Sequence, residues 1–172
     1  MKGLVILFTG LTMCLTITPL YAADINDLIY TVGDDATIIT ECNPEATGEL
    51  VIPASIGGKP VTSIEWQAFL SCTGLTSITI PDSVTSIGAW AFWQCKGLTG
   101  ITIPDNVTSI GEGVFSECTN LTSIEVGGKN VNYMDVNGVL FNKETATLVT
   151  YPAAKTGTNY TFPFSIGGKR FF

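Results

Sequence analysis

The sequence predicts a β-rich solenoid built from a repeated unit of 23 residues, with short helical or 3-10 turns on its convex side and an N-terminal β-hairpin cap. The main observation is a fixed spacing, because Leu75, Leu98 and Leu121 follow one another at intervals of 23 residues. Prolines, phenylalanines and cysteines in the same stretch keep that interval. A fixed period in the twenties is typical of a solenoid, in which each copy stacks on its neighbours. The composition agrees, since 45% of the residues are hydrophobic, 13% are charged and 18 are glycines, which favours a folded, turn-rich β protein.

Residues 1–22 are predicted to be a secretory signal peptide. A lysine supplies the short positive region, an apolar stretch runs from Leu4 to Leu15, and a plausible cleavage site follows at Ala22. A transmembrane anchor is less favoured, because threonines interrupt the apolar run and it is shorter than the roughly 20 residues that span a bilayer. A lipoprotein with Cys14 as the lipidated residue is a further alternative. The sequence therefore predicts export, either into the medium or to the cell surface.

Residues 23–47 are predicted to form a leader that caps the solenoid of residues 48–172. Two stretches of this leader, LIYTV at 28–32 and ATIITEC at 36–42, alternate apolar and polar residues on either side of a Gly-Asp-Asp turn. That pattern is typical of a β-hairpin. A hairpin at this end would shield the exposed edge of the first coil, as the terminal caps of repeat proteins do.

The repeat unit indicates how one coil closes. In LTSITIP, Ile78 and Ile80 alternate with hydroxyl-bearing residues and predict a strand with one face inward. Pro81 cannot donate a ladder hydrogen bond, so it ends the strand and begins a turn. We expect Gly88 to relax the next corner. The run AWAFWQC at 89–95 then returns along the opposite side, where the spacing of its apolar residues allows a short helical turn.

The two ends of the repeat region share a longer form of the unit. PASIGGKPV at 53–61 carries an insertion with a Gly-Gly turn, which we expect at an edge of the solenoid. PFSIGGKRF at 163–171 aligns with it, so the sequence stops where another long coil begins. Two interpretations are open, a fragment of a longer array or a final coil that is left open. The fragment is favoured, because an uncapped solenoid exposes an edge and a core.

The period breaks after Val126. Residues 131–152 are predicted to be an insertion that carries a β-hairpin, in which the strand-like runs VLFN and TLVTYP are joined by a Lys-Glu-Thr turn. YTFP at 160–163 is then predicted to resume a repeat strand, with Phe162 in the place of an inward-facing isoleucine. The insertion would thus interrupt the solenoid without ending it.

Four cysteines remain in the predicted mature chain, namely Cys42, Cys72, Cys95 and Cys118. An even number in a secreted protein usually suggests disulfides. The last three recur every 23 residues, however, and so form a ladder whose side chains point the same way and not at each other. Buried free thiols are therefore favoured over disulfides. A metal site is not predicted, because the chain has no histidine and no CxxC pair, and no cofactor is expected.

Charge and residue types argue against nucleic-acid binding and catalysis. The formal net charge is −7, from 8 basic and 15 acidic residues, and the basic residues do not cluster. Without histidine, no Ser-His or Cys-His pair can form. Asp82, Asp105 and the pair Asp34-Asp35 all fall in predicted turns, so turn preference explains them better than a glycosidase carboxylate pair does. The sequence therefore predicts that the protein is not an enzyme.

The unit LTSITIPDSVTSIGAWAFWQC, with its IP-D-x-VTSIG core, resembles the BspA-like leucine-rich repeat family. IPASIGGKPVTSIEWQAFLSC and NGVLFNKETATLVTYPAAKTGTNYTFP resemble recurrent variants of the same repeat. The resemblance covers most of the chain from Gly48 onward. It implies a leucine-rich repeat solenoid that is secreted or displayed on the cell surface of host-associated bacteria or protists. It also implies a role in adhesion and binding to host matrix proteins or other cells, and no catalytic residues.

A binding surface is the favoured kind of functional site. Strand residues that face away from the core would form a continuous sheet face, with the candidates Glu49, Val51, Ser77, Thr79, Gly100, Thr102, Ser123 and Glu125. Interface energy usually resides in a few aromatic or arginine anchors, and the exposed candidates of that kind are Trp66, Trp90 and Trp93. The next unit has Gly113 and Ser116 in place of the last two tryptophans, so the coil itself does not require them. Ordinary solvent-facing residues are the alternative explanation for each of these positions.

Two function classes remain open on the sequence. The first is a non-enzymatic repeat protein, secreted or exposed at the cell surface, that mediates adhesion through a host or cell-surface protein partner. The second is a structural spacer or carbohydrate-contacting module of a longer secreted protein. Neither class involves a nucleic-acid partner or a stable membrane span.

Overall fold

The computed structural model describes residues 22–157, 160–163 and 165–170. The predicted signal peptide lies outside the described residues apart from Ala22, and so does Cys14. The described chain begins with a 3-10 helix at Ile25–Asp27, and its other regular elements are strands joined by turns and loops. The strands are, in chain order, β1 (Leu28–Val32), β2 (Thr37–Cys42), β3 (Thr47–Val51), β4 (Ser55–Ile56), β5 (Lys59–Ile64), β6 (Gly74–Thr79), β7 (Ser86–Ile87), β8 (Gly100–Ile103), β9 (Ser109–Ile110), β10 (Ser123–Val126), β11 (Tyr133–Val136), β12 (Val139–Asn142), β13 (Thr147–Thr150), β14 (Ser165–Ile166) and β15 (Lys169–Arg170).

Each coil of the solenoid has three sides. Side A contains β3, β6, β8 and β10, and side B contains β2, β5, β7 and β9. Side C consists of the return segments 65–72, 88–95 and 111–118. Strands of successive coils run parallel wherever they pair, because each coil passes a given side in the same direction. Ser63, Ser86 and Ser109 lie in register on side B, one in each coil, as the repeat period requires.

A hairpin of β1 and β2 lies at the N-terminal end of side B, as the sequence predicts. Because β2 also pairs in parallel with β5, the hairpin covers the edge that the first coil would otherwise expose. The Gly-Gly turn of the first long coil joins β4 to the start of β5. Gly57 and Gly58 have φ values of 61° and 77° there, which glycine adopts without strain and which matches a type I′ hairpin turn.

The core is built of ladders in which one residue type repeats along the stack. The rings of Phe69, Phe92 and Phe115 stack with centroid separations of 5.1 Å and 5.4 Å. The leucines and the cysteines of the repeat form similar buried rows beside them. Burying one such side chain contributes about 1.5–3 kcal/mol. Phe92 stacks between the other two rings, and each of those stacks on Phe92. This stabilisation depends on neighbouring coils, so a single coil would lack most of it.

Side C is not helical, and the expectation of a short helical turn at 89–95 is wrong. The backbone N–H groups of Trp90, Phe92 and Gln94 donate to carbonyls of the next coil at 3.0 Å each. A helix would direct these groups back along its own chain. Trp90 and Gln94 also have φ values of 59° and 61°, in the left-handed region that interrupts a helix. Side C is therefore a succession of β-turns held to the next coil by a ladder of hydrogen bonds.

The segment after β10 forms a three-stranded antiparallel sheet in the order β11-β12-β13. The two strand-like runs of the predicted hairpin correspond to β12 and β13. β11 is not predicted from the sequence, and it pairs with β12 through a turn at Asn137 and Gly138 with φ values of 52° and 76°. This sheet lies against the end of side A, because the Ile124 N–H donates to the Gly138 carbonyl at 3.0 Å.

The last described residues differ in part from expectation. Residues 160–163 form no strand, and Phe162 is 56% exposed instead of facing the core. Tyr160 packs edge-to-face between the rings of Tyr151 and Phe162, so these aromatic residues contact one another and not the ladders. The prediction that a repeat strand resumes here is therefore wrong. By contrast, β14 and β15 form a small hairpin around Gly167 and Gly168, as their alignment with the first long coil predicts.

Candidate functional site

An open groove of about 570 Å³ lies on side A, across three successive coils. The sequence-predicted face residues that line it are Ser77, Thr79, Gly100, Thr102, Ser123 and Glu125. They converge because they are successive members of parallel strands, with Thr79 opposite Val51 in one strand pair and Thr102 opposite Glu125 in another. Glu49 and Val51 lie on the same side at its N-terminal end but do not line the groove.

Side A is not the continuous sheet that the sequence predicts. β3 pairs with β6, and β8 pairs with β10, but in the described structure these remain two separate two-stranded sheets. Between β6 and β8 the Thr99 N–H still donates to the Thr76 carbonyl at 3.3 Å. The strands separate beyond that bond, and residues of both line the groove. The groove is therefore built around a break between two sheets.

The hydroxyl groups of the repeat fall into two classes. One class joins neighbouring coils. Thr99 Oγ1 donates to the Thr76 carbonyl at 3.4 Å, and Thr122 Oγ1 donates to the Thr99 carbonyl at 2.8 Å. Thr85 and Thr108 do the same on side B. The other class consists of the groove side chains Ser77, Thr79, Thr102 and Ser123, which make no side-chain hydrogen bond to any described residue. The second class keeps its full hydrogen-bonding capacity for a ligand.

The groove is acidic at its rim. Asp82, Asp105 and Glu125 line it together with the hydroxyl groups. Asp105 also has a structural role, because its Oδ1 accepts the backbone N–H of Lys129 at 2.9 Å, as its predicted place in a turn suggests. Carboxylates around an open groove favour ligands that carry hydrogen-bond donors or positive charge.

The three tryptophans lie on side C, so the structure does not place them with the side A groove. Trp66 is 61% exposed. Trp90 and Trp93 are half-buried and pack edge-to-face at a centroid distance of 5.4 Å. The ring of Trp90 also covers Gly113 of the next coil, where an added Cβ would lie 3.4 Å from it. The candidate residues thus form two surfaces and not one.

A second groove, of about 470 Å³, lies at the N-terminal end of side C. The residues that line it are Thr40, Glu41, Cys42, Pro44, Trp66, Gln67, Leu70 and Ser71. Of these, only Trp66 is a site residue predicted from the sequence. The leader crosses this side with two residues fewer than the first coil, since Ile39 pairs with Ile64 and Thr47 pairs with Gly74. The strand pairs of the folded chain reveal this difference, and the sequence alone does not.

The four cysteines of the described chain are buried free thiols, as the sequence predicts. Burial raises the pKa of Cys95, and the nearby Cys118 adds to this effect. Burial likewise raises the pKa of Cys118, to about 11. A hydrogen bond with Cys72 and burial raise the pKa of Cys42. Thiols held in the protonated form are poor nucleophiles and poor metal ligands, which fits packing residues. In the described part of the chain, no three His, Cys, Asp or Glu side chains come together in a way that could hold a metal ion.

The fold and its surfaces define a repeat solenoid with open grooves on two of its sides. The chain belongs to the BspA type leucine rich repeat family, whose family model matches six copies of the repeat over residues 49–163. None of the curated proteins compared with the chain matches it. Within the described residues, no helix is both long enough and apolar enough to cross a bilayer.

Two solved structures are similar at 30% identity or more. One is a leucine rich cell surface protein from Faecalibacterium prausnitzii, which is 33% identical with a TM-score of 0.60 over 72% of this chain and 31% of its own. The other is a leucine-rich repeat protein from Bacteroides ovatus, which is 32% identical with a TM-score of 0.51 over 60% of this chain and 29% of its own. The chain thus spans about a third of the length of either protein.

Proposed function

We propose that the chain is a non-catalytic, protein-binding repeat module that acts at a bacterial cell surface in adhesion to host matrix or cell-surface proteins. The side A groove supports this proposal most directly. One open surface of about 570 Å³ contains side chains that make no hydrogen bond within the described structure, namely Ser77, Thr79, Thr102, Ser123 and Glu125. Two other lining residues, Thr99 and Asp105, hydrogen-bond to neighbouring coils, so the five side chains without such bonds are the ones available for recognition.

The shape of the groove suits a protein surface better than a small substrate. It is open along the stack and crosses three coils, whereas small-molecule sites are concave and bury most of their ligand. Short hydroxyl side chains lose little conformational entropy when they form hydrogen bonds, and acidic residues at the rim would steer a basic partner toward them. The similarity to a cell surface protein from Faecalibacterium prausnitzii supports the proposed location.

The test is a capture assay with a panel of purified host matrix proteins on a biosensor. Thr102→Arg places a long cationic side chain in the groove, and Thr119→Arg makes the same change at an exposed position outside both grooves. We expect Thr102→Arg to weaken binding of a captured protein by about tenfold or more, the range expected for disrupting a central contact, and Thr119→Arg to leave it unchanged.

Two results would contradict the proposal. Absence of binding to every protein of the panel would favour a structural spacer. Selective binding on a glycan array, lost in Thr102→Arg, would instead favour a carbohydrate-contacting module. Thermal unfolding of both variants establishes that they are folded, so that a loss of binding reports on the surface.

A further inference from the structure

The first cysteine of the ladder differs from the other two in what its thiol contacts. Cys95 and Cys118 each donate to the carbonyl of a phenylalanine that lies 26 residues earlier, at 3.1 Å and 3.0 Å. The thiol of Cys72 instead approaches the carbonyls of Cys42 and Asn43 in the leader, at 3.8 Å and 3.6 Å. Among the described residues, Cys72 therefore makes only long hydrogen bonds, and two of its three acceptors belong to the leader.

The short path of the leader causes this difference. The leader crosses from side B to side A in two residues fewer than the first coil does. Its crossing begins at Cys42, the last residue of β2. It then turns at residues 43–46, where the Ala46 N–H donates to the Asn43 carbonyl at 3.0 Å. A full coil would offer Cys72 the carbonyl of a phenylalanine, whereas this shorter turn offers it a second cysteine.

The thiols of Cys42 and Cys72 lie against the same main-chain oxygen. The Asn43 carbonyl oxygen is 3.7 Å from the sulfur of Cys42 and 3.6 Å from the sulfur of Cys72. The two thiols also hydrogen-bond with each other, and this contact raises the pKa of Cys42. Cysteines one period apart point the same way, but Cys42 stands 30 residues before Cys72 and approaches it from a separate segment. This pair therefore has the mutual approach that a disulfide requires.

We propose that Cys42 and Cys72 form a disulfide bond, which joins the leader to the first coil when the chain folds in the presence of a disulfide oxidant. Disulfides form and persist outside the cytoplasm, which agrees with the proposed cell-surface location. The bond does not depend on what either groove binds.

The reaction is thiol–disulfide exchange with a small disulfide such as oxidised glutathione. The thiolate of one cysteine attacks the oxidant, releases one glutathione and leaves a mixed disulfide. The thiolate of the other cysteine then attacks the protein sulfur of that mixed disulfide and releases the second glutathione. Two protein thiols thus lose two electrons, and the oxidant becomes two thiols that take up the two protons. Both cysteines are buried in the folded chain, so the exchange takes place as the leader docks, while the thiols are still accessible.

A disulfide at this place would fasten the N-terminal cap. The leader carries the β1-β2 hairpin, which covers the edge of the first coil through the pairing of β2 with β5. A unit at the end of a repeat array has a neighbour on one side only, so it depends on that single interface. A bond between residues 42 and 72 closes a loop in the unfolded chain, which lowers its conformational freedom and stabilises the folded state. Cys95 and Cys118 would remain thiols in the core.

The first test is oxidative refolding of the full chain with Cys14→Ser, which removes the one further thiol. The reduced chain is refolded from urea in a mixture of reduced and oxidised glutathione, free thiols are alkylated after unfolding, and peptides are mapped by mass spectrometry. We expect one intramolecular bond, between Cys42 and Cys72, in most molecules, with Cys95 and Cys118 alkylated. Four alkylated cysteines, or a predominant bond that involves Cys95 or Cys118, would overturn the proposal.

The second test compares urea unfolding of the refolded chain with and without dithiothreitol. Reduction should lower the urea midpoint by about 1–2 M, the range that a native disulfide and a domain of this size lead us to expect. Cys42→Ala should show no effect of dithiothreitol. Cys118→Ala is the matched control, because it also removes one buried thiol but leaves the pair intact, and it should keep the full shift. An equal shift in Cys42→Ala, or no shift in the parent chain, would show that this bond does not fasten the leader.

Discussion

The Cys118 thiol donates a hydrogen bond to the carbonyl oxygen of Phe92 in the preceding coil, with 3.0 Å between sulfur and oxygen. Cys95 makes the same contact with Phe69 at 3.1 Å. Each acceptor belongs to the phenylalanine ladder, so one thiol bond per coil joins the two ladders. Cys95 and Cys118 point toward main-chain oxygens of the preceding coil, so these two sulfurs do not face each other as a disulfide would require.

We expect the buried thiols to make the fold alkali-sensitive. The ordinary pKa of 9.0 applies to Cys118 in the unfolded chain, whereas burial raises it to about 11 in the folded chain. Stability from this group is thus fully present below pH 9 and falls as the pH rises toward 11, because only the unfolded thiol then ionises. The loss at pH 10.5 is about 1–2 kcal/mol. Urea unfolding in reductant at pH 8 and pH 10.5 measures it, and Cys118→Ala should show a correspondingly smaller drop. An identical drop in the variant would contradict the assignment.

A second prediction concerns the corner between sides B and C. A Cβ added to Gly111 would overlap the backbone nitrogen and Cα of Ala89, and one added to Gly88 would lie 2.6 Å from the backbone of Glu65. Gly111→Ala should therefore destabilise the fold by about 2–3 kcal/mol, since the backbone of the coil before must move. Gly100→Ala is the matched control, because the nearest atom to its Cβ would be 3.7 Å away. Similar urea midpoints for the two variants would refute the close approach.

The same corner illustrates what the sequence could and could not predict. Gly88 was expected to relax a turn, and the repeat of a glycine at Gly111 identifies its place. The physical reason, however, is that a Cβ at this position would collide with the backbone of the preceding coil. That depends on the distance between coils, which the sequence does not give. Glu65 holds the same position in the first coil, where its side chain is exposed. The buried ladders were predictable, since a fixed period alone determines which residues stack.

The turns of side C were not predictable from the apolar spacing. AWAFWQC places apolar residues three to four apart, which suits a helix as well as it suits two turns. The choice is made by hydrogen bonds to the next coil, such as that from Phe92 to Val114 at 3.0 Å. Similarly, the alternation in β6 and β8 predicted the outward residues of the side A groove, but the break between the two sheets depends on how the coils stack. The groove at Trp66 escaped prediction because a shorter leader creates it.

A third prediction follows from the left-handed backbone of side C. Glu117 is exposed and has φ of 61°, a conformation that costs a residue with a Cβ about 1–2 kcal/mol. Glu117→Gly should raise the free energy of unfolding by about 0.5–1 kcal/mol. Glycine removes the strain from the folded state, but its greater backbone freedom in the unfolded chain offsets part of this gain. Glu112→Gly makes the same change of charge at an exposed position where φ is not positive, and should lower stability by about 0.5–1 kcal/mol. Changes of the same sign in both variants would argue against strain at Glu117.

Asn130 closes the valine ladder of side B. It stands one period after Val107 and is only 1% exposed. Its amide nitrogen donates to the carbonyls of Pro104 and Val107 at 2.8 Å and 3.1 Å. Its amide oxygen accepts the backbone N–H groups of Asn132 and Tyr133 at 2.9 Å and 2.8 Å. One buried side chain thus satisfies four main-chain groups at the point where the chain leaves the repeat.

We expect Asn130→Val to destabilise the fold even though it restores the residue that the repeat period calls for. Valine would add apolar burial to the ladder, but it would leave the Val107 carbonyl and the N–H groups of Asn132 and Tyr133 without the partner that Asn130 provides. The Pro104 carbonyl would keep the Val107 N–H, at 3.3 Å. Each such group costs about 1–3 kcal/mol, so a net loss of about 2–4 kcal/mol should outweigh the gain from one apolar side chain. Asn130→Asp keeps the acceptor and the shape but loses both donors, and should also be destabilising. Val131→Ala, at the exposed neighbour, should change stability by no more than about 0.5 kcal/mol. Urea unfolding of the three variants measures these changes. If Asn130→Val were as stable as the unchanged chain, packing of the ladder, and not the hydrogen bonds of Asn130 to the main chain, would stabilise this end of the solenoid.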